Sequence, residues 1–164
     1  MEVIAIFGKW FWLIGIVVTF INAAWAWNRV RTDIQEHPEL RKGYLALIWW
    51  QLILGIISCV ILGIGTLIGS VHTIFEVFRP RDGNPFVLAF LGSAVLMWLL
   101  GTYWIFLRGG AEMLIKHPGV IITTKSSVKR PWMVKLLFLL CVAGGVVALI
   151  LMWTIDFPLP PELM

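Results

Sequence analysis

Apolar positions in this chain run in four long blocks separated by short polar stretches. The blocks are Trp10 to Trp27, Tyr44 to Ile68, Phe86 to Leu107 and Trp132 to Trp153. A bilayer core about 30 Å thick needs about 20 apolar residues per helix, and each block is near that length. The block ends carry the aromatic residues that settle at lipid headgroups: Trp10 and Trp12 face Trp25 and Trp27 across the first, and Trp132 faces Trp153 across the fourth. The pattern predicts an all-α integral membrane protein, a single polytopic domain with four transmembrane helices in a bundle.

Composition agrees with this pattern. Sixty per cent of the 164 residues are apolar, 13% are charged and the mean hydropathy is +0.91, which leaves too little charge to cover a soluble domain of this size. The tripeptide "AWA" at 24–26 imitates a signal-peptidase site. The acidic "MEVIAIFGK" start and the arginines behind the first apolar run argue instead for a retained helix.

Charge distribution sets the expected orientation. The 28–42 and 108–131 loops together with Lys135 hold ten bases (Arg29, Arg31, Arg41, Lys42, Arg108, Lys116, Lys125, Lys129 and Arg130 being the others) against Asp33, Glu36, Glu39 and Glu112, a balance of +6. The other side holds Lys9, Arg79 and Arg81 against Glu2, Glu76, Asp82, Asp156 and Glu162, a balance of −2, and the two reproduce the overall +4. The positive-inside rule then places both termini on the non-cytoplasmic side and both basic loops in the cytoplasm. The basic excess reads as topology and attraction to anionic lipid headgroups, with nucleic acid not expected as a partner.

Between the second and third blocks lies "FRPRDGNPF", residues 78–86. Val71, Ile74, Phe75 and Phe78 fall at i, i+3, i+4 and i+7, with His72, Glu76 and Arg79 opposite, a pattern that predicts a short interfacial amphipathic helix over about 71–79. Pro80 ends it, Asp82-Gly83 turns the chain, and Asn84-Pro85 supplies an N-cap and an N1 proline for the next helix. Turn chemistry therefore accounts for every residue. The competing reading is an anion site built from Arg79, Arg81 and Asp82, in which the guanidiniums and turn amides grip a phosphate or carboxylate. His72 with Glu76 supplies only two ligands, too few to specify a metal.

A second feature is an echo: "QEHPEL" at 35–40 and "IKHPGV" at 115–120. The spacing predicts that helices one and three continue past the membrane until Pro38 and Pro118 stop them. It also raises the possibility of duplicated hairpins over 1–69 and 84–154. His37 and His117 are the candidate metal-binding or acid–base residues, acting on lipid headgroups with nearby acids. The plainer reading is that histidine suits a helix C-terminus and proline ends it. No catalytic residue, cofactor site or family resemblance emerges. Cys59 and Cys141 differ in depth by roughly 9 Å at about 1.5 Å per residue, too far to pair.

Small residues form ridges: Gly55, Cys59 and Gly63, then Gly65 and Gly69, in the second block, and Gly144 with Ala148 in the fourth. Lipid gives helices no hydrophobic drive to associate, so close approach along such ridges supplies the packing, within the bundle or to a partner. Asn22, Gln51 and Thr102 are the uncharged polar residues of the spans, and interhelical hydrogen bonds are their expected role. The functional expectation is a small non-enzymatic accessory, assembly or scaffold subunit working through helix packing and lipid contact, with membrane lipids and a protein partner or second copy as partners. The alternatives are a binding or transport protein for a lipid or anionic metabolite, and a lipid-headgroup enzyme using the histidines.

Overall fold

The computed structural model describes residues 2–120 and 130–155, with side chains from residue 6 onward. Lys125, Lys129 and the proline-rich tail "DFPLPPELM" lie outside the described residues. All regular structure among the described residues is helical: α1 (Glu2–Glu36), a 3-10 turn (Pro38–Leu40), α2 (Arg41–Leu67), 3-10 segments Ile74–Phe78 and Pro80–Asp82, α3 (Pro85–Leu107), α4 (Gly110–Lys116) and α5 (Pro131–Thr154). Four helices, α1, α2, α3 and α5, are long and apolar enough to cross a membrane. The protein is an all-α helical bundle of the multi-pass membrane type.

Side-chain size sets the register of neighbouring helices. Gly55 of α2 lies under Thr19 of α1, Gly15 of α1 under Cys59, and Gly63 under the Trp12 ring. Positions rise along α1 as they fall along α2, so the two run antiparallel, each small residue receiving a larger one. The same holds between α2 and α3, where Gly65 lies under Phe86 and the Ser58 and Ser93 hydroxyls are hydrogen-bonded at 2.9 Å. Helix α5 meets α3 where Phe138 covers Gly101 and Trp98 covers Gly145. It is otherwise sparsely packed, and none of its most apolar window is buried.

Ser58–Ser93 is a polar link between α2 and α3. Thr102, expected to bond across helices, instead donates back to the Trp98 carbonyl four residues earlier at 2.7 Å, as Thr19 does to Gly15 and Thr66 to Leu62. A threonine hydroxyl reaches its own i−4 carbonyl without moving, and in an apolar medium that nearest acceptor wins.

The chain between α2 and α3 differs in form from the helix expected over 71–79. Only Ile74–Phe78 is helical, and in the tighter 3-10 form. The cause is Glu76: its carboxylate accepts from the backbone N–H groups of His72 at 2.6 Å and Thr73 at 3.2 Å, and from the Asn84 amide at 3.3 Å. Those bonds keep 71–73 out of the helix, with Thr73 extended. Val71, Thr73 and Val77 become the buried residues, while Phe78 is exposed. Asn84 caps α3 by accepting from Phe86 N–H at 3.0 Å, Pro85 follows at the first helical position, and Gly83 turns the chain at φ 73°.

Two buried clusters result. One, near the 71–91 segment, contains Leu62, Val71, Val77, Val87 and Leu91. The other sits at the opposite end and gathers Val30, Tyr44, Leu47, Ile105, Ala111, Leu114, Val120 and Val134 from all five helices and the turn after α4.

Candidate functional site

The second cluster is where polar chemistry is brought together. Helix α3 does not continue to Pro118. It ends at Leu107, because Gly109 adopts φ 70°, a left-handed conformation that glycine takes without steric cost, and α4 then starts in a new direction. Gly110 follows with the Trp104 ring directly against it. This bend packs Ala111 and Leu114 of α4 into the cluster and delivers His117 to α2.

His117 is 7% exposed. Its Nδ1 lies 2.8 Å from the Met113 carbonyl oxygen. A carbonyl only accepts, so Nδ1 is the donor in this bond, and Nε2 lies on the other side of the ring. That side of the ring is pressed on Gly43, where a Cβ would overlap the imidazole. Tyr44 meets His117 edge to face, ring centroids 4.9 Å apart, and its hydroxyl is within hydrogen-bonding reach of the Asp33 carboxylate on α1. Asp33, Tyr44 and His117 thus link α1, α2 and α4 through one 1%-exposed tyrosine. The arrangement is an enclosed contact suited to holding helices in register.

His37 has a different setting. Its side chain is 60% exposed and its Nδ1 lies 3.5 Å from Glu39. The two histidines therefore have separate partners. Among the described residues no three His, Cys, Asp or Glu side chains converge in a way that would hold a metal ion.

At the other end, the Arg79 Nε is 3.3 Å from Asp82, so these two candidate anion-site residues are paired with each other. Arg81 and Asp82 are exposed, and Pro80 between the arginines is fully buried. Of the ridge residues, Gly55, Gly63 and Gly65 are covered by side chains of this chain. Gly69 has open space at φ 78°, where the chain leaves α2, and Gly144 has nothing within 4 Å of the position a Cβ would take. Ala148 is half-buried, and Cys59 and Cys141 are both free thiols.

Sequence reasoning did not single out Gly43, Tyr44 or the groove beside Arg31 and Arg41. Gly43 carried a weak signal, since a glycine in the first turn of a helix costs stability unless packing calls for it. Comparison with protein-family models, with curated proteins and with solved structures returns no match.

Proposed function

We propose that this protein is a non-enzymatic membrane subunit, an accessory or assembly factor that works through helix packing and lipid contact. Both termini lie on the non-cytoplasmic side and the Asp33–Tyr44–His117 end faces the cytoplasm, by the positive-inside balance. The observation that carries the packing role is the contrast among glycines in the spans. Gly15, Gly55, Gly63, Gly65, Gly101 and Gly145 each have a side chain of this chain over them, whereas Gly92 of α3 and Gly144 of α5 have none within 4 Å. A bare backbone patch in mid-span favours close approach by another helix, and Gly144 is flanked by exposed Leu140 and Val147 that would interlock with one. The enclosed setting of His117 supports a structural role for that residue.

Replacing Gly92 and Gly144 with Leu tests this reading. A Cβ at either position meets no side chain of this chain within 4 Å, so unfolding stability should change by less than about 0.5 kcal/mol, while self-association or a co-purifying protein is lost. A folded double variant that keeps all its associations contradicts the packing role. Orientation is tested separately. Glu36→Cys should resist an impermeant thiol reagent in intact cells and Asp82→Cys should react, and the opposite labelling reverses the topology.

A further inference from the structure

Beside the α1–α2 turn, on its outer surface, is a groove of about 250 Å³ lined by Trp27, Arg31, Ile34, Gln35, Pro38 and Arg41. We propose that it binds the phosphate of an anionic phospholipid in the adjacent leaflet. The inference requires only that the chain spans a membrane and is independent of any protein partner.

Depth is the first argument. Arg31 lies four residues beyond Trp27, about 6 Å along the helix. With Trp27 at the edge of the hydrocarbon, the guanidinium stands at headgroup level.

Charge is the second. Arg31 and Arg41 are exposed and, among the described residues, neither makes an ion pair. The nearby acids do not line the groove: Asp33 reaches toward Tyr44 and Glu39 lies beside His37. Both guanidiniums favour an anionic ligand. Arginine forks match phosphate oxygens in pairs.

Apolar surface is the third argument, and it selects a lipid over a soluble phosphate. Phe20, Ala24, Trp27 and Arg31 fall at i, i+4, i+7 and i+11 on one stripe of α1, and all four are exposed. The stripe runs from the groove into the bilayer, with a step at Ala24 between two aromatic residues that an acyl chain can follow. A free phosphate has no use for it.

Native mass spectrometry of the whole protein, equilibrated with equal dioleoyl phosphatidylglycerol and dioleoyl phosphatidylcholine, tests the proposal. The wild type should retain phosphatidylglycerol over phosphatidylcholine by about fivefold or more, the scale of one or two juxtamembrane bases. Arg31→Gln with Arg41→Gln should bring the two lipids within about twofold, whereas Arg79→Gln with Arg81→Gln should leave the preference intact. Arg31→Lys with Arg41→Lys, which keeps both charges, should fall between, and it serves as the variant of record if the Gln pair fails to fold. Equal retention of both lipids by the wild type overturns the proposal, as does an unchanged preference in a folded Gln or Lys pair. Displacement of bound phosphatidylglycerol by millimolar inorganic phosphate would assign the groove to a soluble phosphate and overturn the lipid assignment.

Discussion

Two His-Pro steps occur at the same end of the bundle, and the chain treats them in opposite ways. At 37–38 the histidine stands in solvent beside Glu39, after a helix that runs unbroken from Glu2 to Glu36. At 117–118 it is enclosed, after a helix of only seven residues set off by the Gly109 bend. Proline ends the helix in both places and fixes nothing else. The difference comes from what stands opposite: Gly43 offers a side-chain-sized hole in the first turn of α2, and Tyr44 walls it. Burial of a polar ring costs free energy unless its hydrogen-bonding groups are met, and the Met113 carbonyl meets Nδ1.

If that contrast is right, the two sites respond very differently to loss of the ring. His117→Ala removes a buried ring, its hydrogen bond and the contact on Gly43, and should lower the unfolding free energy in detergent by about 2 kcal/mol. A loss below about 0.5 kcal/mol would place His117 among ordinary surface residues. Tyr44→Phe keeps the edge-to-face contact but removes the hydroxyl facing Asp33, and about 1 kcal/mol should be lost in the same assay. No loss would mean that Asp33 contributes nothing to holding α1 on α2. His37→Gln should be neutral within about 0.5 kcal/mol, because an exposed His–Glu pair contributes little. A larger effect there would erase the distinction between the steps.

The four spans were legible because each is a long apolar run with its own end markers. Trp132 and Trp153 bracket α5, which occupies Pro131–Thr154, and Asn84-Pro85 announces the start of α3. Local chemistry is readable from neighbours in sequence. The 3-10 form of 74–78 was not, because it depends on a carboxylate turning back to amides on its N-terminal side, and periodicity counts apolar positions without seeing that competition. The α3–α4 break was missed for a related reason. The Gly109-Gly110 pair is visible, but a helix tolerates glycine, and it takes the left-handed Gly109 and the Trp104 ring against Gly110 to show the break. The contact of His117 on Gly43 joins residues 74 positions apart, and the Arg31–Arg41 groove depends on how α1 meets α2. Both follow from helix register, which one helix's pattern does not contain.

The claim that Gly43 exists to seat His117 is tested most directly by a double-mutant cycle. Unfolding free energies would be measured for wild type, Gly43→Ala, His117→Ala and the pair. Gly43→Ala alone should cost about 1–3 kcal/mol, because its methyl group displaces the imidazole. With the ring gone, the same change should cost nothing or stabilise by up to about 1 kcal/mol, alanine being the better helix former. The account predicts a coupling of at least about 1 kcal/mol, and costs that add to within about 0.3–0.5 kcal/mol, the behaviour of independent sites, would contradict it.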